Sequence, residues 1–433
     1  MLESSKLMII KNIKKLGSNE LRKSALSIAE AGITAVLPKN VIKSSVSSEG
    51  DLLKINNNQF DLKNYGRLFI FAFGKAAADS AEALEKILGN RITGGAVVDI
   101  KKYRSKYLKT FVADHPLPTE RNIKVGNEFI KLLEDFGGMK ADDFVIFVVS
   151  GGASVLLCHP NQLTSAELSA LTSKFFEKGA DITELNIVRK HLSLIHGGYF
   201  AKYIYPATAI SLLYSDVPTS DLSVIASGPT FMDTTTVEDA KRIAEKYGID
   251  NLPFIETPKE NKYFEKIINI LVCDNNVALK AMQKESKKLG FKSVIYTNLL
   301  HGEARYMGKE LLSKLEDNTV ILAAGETTVK VKKGGKGGRN QEFVLGSIPH
   351  LKEKEVVISI ASDGKDFIKG IGGAIADLNI AAKAGKMKLN INKYLDENNS
   401  YKFFKKVGGL ILTDSTGANV SDLMIAIKGS PVK

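Results

Sequence analysis

Short apolar runs alternate with amphipathic segments along most of the chain. The runs at 68–73 and 144–149 have strand length, and each ends at glycine-containing residues. Segment 75–88, after the first run, is rich in alanine and carries Glu82 and Glu85, which favours a helix. Buried parallel strands are apolar throughout and are joined by helices, so this alternation predicts an α/β fold.

The same pattern recurs to the end of the sequence. Further strands are predicted at 95–100, 209–214, 268–273, 293–297, 319–324, 356–361 and 409–413, and further helices at 16–37, 123–136, 275–289 and 302–316. Alternating strands and helices indicate parallel sheets with right-handed crossovers.

A polar, turn-rich stretch at 251–262 contains Pro253 and Pro258 and suggests a domain boundary. We therefore predict one α/β domain at 1–262 and a second at 263–433. The segment 265–324 could pack with either half. The predicted boundary could therefore lie up to about 50 residues further toward the C-terminus.

Length and composition indicate a folded enzyme-sized protein. The 433 residues suffice for two or three domains, and 44% hydrophobic with 25% charged residues is ordinary for globular proteins. No segment reaches the roughly 20 apolar residues of a membrane span, and the N-terminus lacks a signal-peptide pattern. Cys158 and Cys273 lie in apolar contexts and are expected to be buried thiols, which favours a cytoplasmic location.

The formal charge of +12 would suit either anionic small ligands or nucleic acid. A stretch that interleaves basic and aromatic residues is the one candidate for nucleic-acid binding: Lys101, Lys102, Tyr103, Arg104, Lys106, Tyr107 and Lys109. Such stretches are more often solvated edges, and the other lysines are spread along the chain beside acids. We therefore expect no nucleic-acid or membrane partner.

Ligands of α/β sheets bind at the carboxyl ends of strands, so the loops there are the places to search. In the 150–154 loop, two glycines would let backbone amides approach an oxyanion, although a tight turn without a ligand fits equally well. Lys75 opens a helix, where a cation needs an anionic partner unless it extends into solvent.

Residues 332–339 contain four glycines and four cations, a composition that suits polyphosphate; a basic hairpin tip without function is the alternative. Arg339, at the fixed end of that loop, could grip phosphate or carboxylate with its forked guanidinium. Asp216 and Asp363 each follow a predicted strand and could hold Mg²⁺ or accept a proton, or they could cap the next segment.

Several known motifs are absent from the sequence. It has no P-loop, no GxGxxG dinucleotide fingerprint, no GxSxG elbow and no His/Cys cluster with zinc spacing. His191 and His196 are five residues apart and are expected to be structural or surface residues.

Taken together, the loops resemble the glycerate 2-kinase family, whose C-terminal half is called the MOFRL domain. The matching segments are, in chain order, 74–77 (GKAA), 115–118 (HPLP), 150–154 (SGGAS), 186–193 (NIVRKHLS), 215–218 (SDVP), 225–230 (IASGPT), 302–305 (GEAR), 325–328 (GETT), 337–342 (GGRNQE) and 416–423 (TGANVSDL).

The resemblance implies a Rossmann-like N-terminal domain with a parallel sheet, a smaller α/β C-terminal domain and an active site in the cleft between them. It implies transfer of a phosphoryl group from ATP to the 2-hydroxyl of D-glycerate, with Mg²⁺ or another divalent cation. Lys75, Asp216 and Arg339 are the catalytic candidates, Lys75 and Arg339 also contact the substrate, and Asp216 and Asp363 hold the metal. The residues expected to bind ATP are Gly151, Gly152, Ala153, Ser154, Gly337, Gly338, Asn340 and Glu342.

Two enzymatic alternatives stay open at this point. A kinase for a related small hydroxy acid would need the same loops, and a hydroxypyruvate reductase would need the dinucleotide fingerprint that the sequence lacks. The sequence does not determine the oligomeric state, and a homodimer is kept as an option.

Overall fold

The computed structural model describes residues 8–216, 221–332 and 334–429. Within these residues the chain forms two compact units. The N-terminal unit comprises 41–215 and 221–272, and the C-terminal unit comprises 8–40, Asp216 and the described part of 273–429.

Helices and strands alternate in the central parts of both units, as the hydrophobic pattern predicts. The strands are β1 (Val46–Glu49), β2 (Leu52–Ile55), β3 (Asn58–Asp61), β4 (Arg67–Phe73), β5 (Ile92–Asp99), β6 (Lys109–Val112), β7 (Asp143–Val149), β8 (Thr208–Tyr214), β9 (Ile267–Cys273), β10 (Lys292–Leu300), β11 (Thr319–Gly325), β12 (Glu355–Ala361), β13 (Ile371–Asp377), β14 (Leu410–Leu412) and β15 (Asp422–Lys428). The strands β1–β3, β5–β6 and β12–β13 follow one another without an α-helix between them.

The helices account for most of the segments between them. They are α1 (Ile13–Leu16), α2 (Glu20–Ala35), α3 (Pro38–Ser45), α4 (Ala77–Leu88), α5 (Glu120–Asp135), α6 (Ala153–Leu156), α7 (Ser165–Glu177), α8 (Ile182–His191), α9 (Tyr199–Ile204), α10 (Val237–Lys246), α11 (Asn275–Lys288), α12 (Ala304–Ser313), α13 (Arg339–Ser347), α14 (Leu378–Lys386), α15 (Ile391–Asp396) and α16 (Ser400–Val407).

A six-stranded sheet organises the N-terminal unit, in the order β6-β5-β4-β7-β8-β9. The neighbouring pairs from β6 to β8 are all parallel, and β4 and β7 are buried along almost their whole length. Phenylalanine rings of these central strands pack with Phe200 of α9, and Phe73 and Phe200 stack at 5.4 Å between ring centroids. The predicted α/β fold with a parallel sheet is confirmed for this unit. A separate antiparallel sheet, β1-β2-β3, precedes it in the chain.

The sheet of the C-terminal unit is mixed, in the order β10-β11-β15-β12-β13-β14. Among the described strands of this sheet only β10 and β11 pair in parallel; β15 lies between β11 and β12 and is antiparallel to both. The expectation of parallel pairing is therefore wrong for most of this unit. The sequence pattern overlooked β13 and β15, and these two strands convert the sheet to antiparallel pairing.

The residues before position 41 belong to the C-terminal unit, although the predicted division placed them in the first domain. Helix α2 packs on α11, where Gly32 lies so close to Met282 that an added Cβ would be 2.6 Å from its Cγ. Buried Arg22 forms an ion pair with buried Asp377 at 3.1 Å. The spacing of apolar residues predicts that α2 has an apolar face. The spacing does not show which of the two sheets that face covers.

Both cysteines are buried free thiols, as predicted. In the described ranges no single helix is long and apolar enough to cross a bilayer; α2 and α3 would pass such a test only as a pair, and they are bent by 67°.

The contact between α12 and α13 offers a test of this packing. A Cβ at Gly346 would lie 2.1 Å from the carbonyl oxygen of Arg305, which is backbone and has little room to move. Gly346→Ala should therefore lower the free energy of unfolding by roughly 1–3 kcal/mol, the usual range for overpacking. Chemical denaturation would measure the change.

Gly385 on α14 is the matched control, because no atom lies within 4 Å of its added Cβ. Gly385→Ala should raise the free energy of unfolding by roughly 0.5–1 kcal/mol through helix propensity. Equal effects of the two substitutions would contradict the close approach of α12 and α13.

Candidate active site

The loops after β4 and β7 lie side by side, because these strands are parallel neighbours in the sheet. The Lys75 N–H donates to the Gly151 carbonyl oxygen (3.0 Å), and the Ala76 N–H donates to Ser150 Oγ (3.1 Å). In the other direction the Ser150 N–H donates to the Phe73 carbonyl oxygen (3.1 Å). Two of the predicted loops are thus joined through their backbones.

This junction requires glycine at position 74. Gly74 has φ +116°, and a Cβ there would lie 2.2 Å from Ser150 Oγ and 2.6 Å from the Ser150 carbonyl oxygen. Neither atom could move away without breaking the hydrogen bonds between the two loops. Gly74 therefore permits the close approach that sets Lys75 beside the 150–154 loop.

The side chains of Lys75 and His115 both lie against Gly152. A Cβ at Gly152 would be 3.2 Å from Lys75 Cε and 3.1 Å from His115 Cδ2. Burial lowers the pKa of His115 to about 4, and the charge of Lys75 acts in the same direction. His115 is therefore a neutral imidazole beside a cation at physiological pH.

Lys75 and the glycine amides have the properties of an oxyanion site. In the described part of the chain no carboxylate pairs with Lys75, and the N–H groups of Gly151 and Gly152 have no protein acceptor. Helix α6, which starts at Ala153, has a single turn, so these amides belong to the loop itself. A cation and backbone N–H groups together favour a phosphate or carboxylate oxygen.

Arg339, in contrast, is held between two acids of the C-terminal unit. Its Nε donates to Asp422 Oδ2 at 2.5 Å, and its Nη1 donates to Glu326 Oε2 at 3.0 Å. Burial raises the pKa of Asp422 to about 7 even though Arg339 opposes the shift. These ion pairs fix the guanidinium and offset much of its charge.

The start of α13 is capped by a buried carboxylate that the sequence did not single out. Asp366 accepts hydrogen bonds from the backbone N–H groups of Asn340 (3.0 Å) and Gln341 (2.9 Å) and from both side-chain amides. A Cβ at Gly338 would lie 2.1 Å from Asp366 Oδ1. The first amides of this helix are therefore already satisfied within the protein.

Two further features of the 334–342 segment have local partners. Buried Glu342 pairs with Arg305 (3.3 Å), and burial raises the pKa of Glu342 against the effect of that cation. A Cβ at Gly337 would lie 1.9 Å from Ser400 Oγ, so this glycine allows close packing on the start of α16. A role of these residues in ATP binding stays a prediction. Lys333 of the predicted basic loop lies outside the described residues.

The two predicted metal ligands are carboxylates at loop positions of the C-terminal unit. Asp216 Oδ2 accepts from Asn419 Nδ2 (3.4 Å), and Asp363 Oδ1 accepts from the Lys365 N–H (2.8 Å). No group of three or more His, Cys, Asp or Glu side chains suited to a metal occurs in the ranges that the structure describes. Val217 and Pro218, next to Asp216 in the predicted loop, lie outside those ranges.

The basic and aromatic stretch at 101–109 is tied to helix α4. The hydroxyls of Tyr103 and Ser105 both donate to Glu85, and Lys101 pairs with Asp79 at 2.5 Å. Tyr103, which would have to stack on a base in a nucleic-acid site, is thus held by an acid of its own unit.

A polar network that the sequence pattern did not reveal adjoins the 150–154 loop at Ser154. Asn186 Oδ1 accepts from Arg189 Nη1 (3.0 Å) and from Ser227 Oγ (3.1 Å), and Ser227 Oγ lies 3.5 Å from Ser154 Oγ. The signal was present, since Asn186 and Arg189 fall within one matched segment. Position in a motif did not reveal that the side chains meet. His191, predicted to be a structural or surface residue, is buried and bonds to the Ile255 carbonyl oxygen (3.1 Å).

Comparison with known proteins accounts for both units. Residues 24–255 match the family model described as a domain of unknown function, DUF4147, and residues 319–422 match the MOFRL family. The chain is 35% identical to the glycerate 2-kinase of Pyrococcus horikoshii, and the alignment covers 94% of this chain and 97% of that protein. The chain belongs to the glycerate 2-kinase family.

The fold agrees with this family membership. The crystal structure of glycerate kinase from Thermotoga maritima matches with a TM-score of 0.84 at 32% identity, covering 94% of this chain and 99% of that one. Another relative, a protein of Agrobacterium vitis named putative hydroxypyruvate reductase, is 32% identical over 90% of this chain and 94% of its own length. The resemblance on which the sequence analysis relied is therefore confirmed. The roles of individual site residues in the glycerate 2-kinase family pattern stay predictions for this chain.

The junction of the two loops can be tested through Gly74. Gly74→Ala should lower the free energy of unfolding by roughly 1–3 kcal/mol more than Gly179→Ala. Both substitutions strain the backbone, but only the Cβ at position 74 would also collide with Ser150. Both glycines have positive φ, but no atom lies within 4 Å of a Cβ at Gly179. Denaturant titration of both variants gives the difference, and equal losses would argue against the tight junction.

Proposed function

We propose that the protein transfers the γ-phosphoryl group of ATP to the 2-hydroxyl of D-glycerate and releases ADP and 2-phosphoglycerate. One observation carries this proposal: the chain aligns over 94% of its length with a protein named glycerate 2-kinase at 35% identity. Lys75 and the amides of Gly151 and Gly152, which have no acidic or carbonyl partner among the described residues, support it, because they suit an anionic ligand.

In this reaction the 2-hydroxyl oxygen attacks the γ-phosphorus. A new P–O bond forms while the bond to the β,γ-bridging oxygen breaks, the electron pair leaves with ADP, and the hydroxyl proton is taken by a base. Such transfers depend on alignment and charge neutralisation more than on covalent help. Asp216 is our candidate for the base, with orientation of a metal ion as its other predicted role.

The amides of the 150–154 loop and Lys75 would neutralise oxygens of the phosphate chain. Such preorganised donors act on charge that grows in the transition state. Arg339 is held by Asp422 on its Nε/Nη2 edge and by Glu326 on its Nη1/Nη2 edge, so an anion would have to take the place of Glu326 to bind both nitrogens of one edge.

Asp216 and Asp363 are the carboxylates that would hold Mg²⁺ or another divalent cation. Their oxygens are the hard donors that this ion prefers, and Mg²⁺ bound to a nucleotide commonly needs only one or two protein carboxylates. The residues present therefore fit the ion, which would supply charge neutralisation on the phosphates when bound.

A hydroxypyruvate reductase is the second candidate, because the Agrobacterium vitis relative bears that name. The sequence lacks the GxGxxG fingerprint that holds a dinucleotide at a helix start. Oxidation of NADH or NADPH by hydroxypyruvate, followed at 340 nm, is the direct assay for this alternative, and we expect no turnover. A cytoplasmic location and a homodimer stay predictions.

Identification of the product is the decisive test of the proposal. The purified chain with ATP, Mg²⁺ and D-glycerate should yield 2-phosphoglycerate, which enolase converts to an absorbing product without a mutase. Accumulation of 3-phosphoglycerate, or ADP release that is independent of glycerate, would refute transfer to the 2-hydroxyl.

Lys75→Met should lower turnover at least about 100-fold, on the scale of one lost transition-state donor. The control is Lys86→Met on helix α4, which begins two residues after Lys75, since Lys86 is exposed and pairs with Glu82 of the same helix (2.7 Å). Arg339→Gln should show a loss similar to that of Lys75→Met. Turnover near that of the wild type in a folded variant would remove the substituted residue from the mechanism.

A further inference from the structure

A cavity of about 260 Å³ lies within the N-terminal unit, behind the 150–154 loop. Its walls are mostly apolar and include Leu117, Val155 and Phe176. The basic side chain among the lining residues of the cavity is that of Arg189. The cavity is thus a small apolar space with a cation at its wall.

Among the residues that the structure describes, Arg189 has no acid to balance its charge. Within the described residues its guanidinium donates to the neutral amide of Asn186 (3.0 Å), and no carboxylate forms an ion pair with it. Burial lowers the pKa of Arg189. Glu120, an acid that influences neighbouring Cys158, is engaged by Ser165 (2.6 Å). Arg189 is partly buried, and a desolvated charge without a partner is destabilising unless a ligand supplies the counter-charge.

A second polar group of the cavity lacks a partner. His196 is 3% exposed, and its Nδ1 has no hydrogen-bond partner in the described structure; the same holds for Nδ1 of His159. Both histidines line the cavity. Buried polar atoms without partners are rare in folded proteins and call for an explanation such as a bound ligand.

The cavity is connected to the predicted phosphoryl-transfer site. Arg189 and Ser227 share Asn186 Oδ1 as acceptor, and Ser227 lies 3.5 Å from Ser154 Oγ. Ser154 also lines the cavity. A ligand held by Arg189 would therefore lie next to the loop that carries Gly151 and Gly152.

We propose that this cavity is the carboxylate-binding subsite of the acceptor acid, with Arg189 as the counter-ion of the carboxylate. A guanidinium can bind a carboxylate by donating two parallel hydrogen bonds to it. The histidines can form hydrogen bonds with the hydroxyl groups of glycerate. A triphosphate carries several negative charges, and one cation in an apolar cavity does not match it. The assignment rests on the proposed function and leaves Lys75 to the phosphoryl group.

The test compares D-glycerate with its neutral amide, D-glyceramide, in the full-length protein. For D-glycerate, Arg189→Gln should raise KM roughly 10- to 150-fold, the range for a lost hydrogen bond to a charged group. The kcat value should change less than about three-fold, and Arg189→Lys should recover part of the loss, because it keeps the charge without the fork. For D-glyceramide, kcat/KM should be the same in Arg189→Gln and in the wild type.

Arg242→Gln is the matched control, because Arg242 is exposed on α10 of the same unit and pairs with Asp239. It should leave KM for D-glycerate unchanged. An unchanged KM in Arg189→Gln, or an equal loss for acid and amide, would overturn the subsite.

Thermal unfolding in the absence of ATP separates this proposal from the kinase proposal. D-Glycerate should raise the unfolding temperature of the wild type and of Arg242→Gln but not of Arg189→Gln, because only a protein that binds the ligand is stabilised by it. Without ligand, Arg189→Gln should unfold at the same or a higher temperature than the wild type. A lower unfolding temperature together with an unchanged KM would show a structural role for Arg189 and overturn the subsite.

If D-glycerate stabilises the protein through Arg189 but no phosphorylated product forms, the kinase proposal fails and the subsite stands. If 2-phosphoglycerate forms with equal KM in the wild type and in Arg189→Gln, the subsite fails and the kinase proposal stands. Absence of both stabilisation and product would overturn both.

Discussion

The backbone junction between the loops after β4 and β7 is the constraint on which the candidate site of the N-terminal unit depends. Parallel neighbours end at the same edge of a sheet, and here the two loops exchange hydrogen bonds across the position of Gly74. A side chain at that position would push the loops apart. The junction therefore sets Lys75 against Gly152, and the amides of Gly151 and Gly152 have no acceptor within the ranges 8–216, 221–332 and 334–429.

Charge balance distinguishes Lys75 and Arg189 of the N-terminal unit from Arg339 of the C-terminal unit more clearly than their positions in motifs do. Lys75 and Arg189 have no acidic partner in the described chain, whereas Arg339 has two. An unpaired cation in a partly buried setting is poised for an anionic ligand, and a paired one is first of all a fixed structural element. This difference is the reason for assigning the acceptor carboxylate to Arg189 and not to Arg339.

The C-terminal unit shows how local packing can account for residues that look like ligand contacts. Asp366 caps α13, Arg305 pairs with Glu342, and Gly337 packs on α16. These contacts explain why glycines and polar side chains concentrate around 334–342. They also give this segment a defined structure on which a phosphate-binding role can be tested.

Apolar runs and turn residues determined most of the strands, the α/β class and the parallel sheet of the N-terminal unit, because these features depend on local pattern and burial. The ordered loops likewise indicated the glycerate 2-kinase family. Only the tertiary structure decided that α2 packs on α11, that β15 lies between β11 and β12, and that no described acid is a counter-ion of Arg189. Each of these features depends on contacts between residues that are far apart in the sequence. The spacing of apolar residues predicts which face of an element is buried, but it does not predict which other element covers that face.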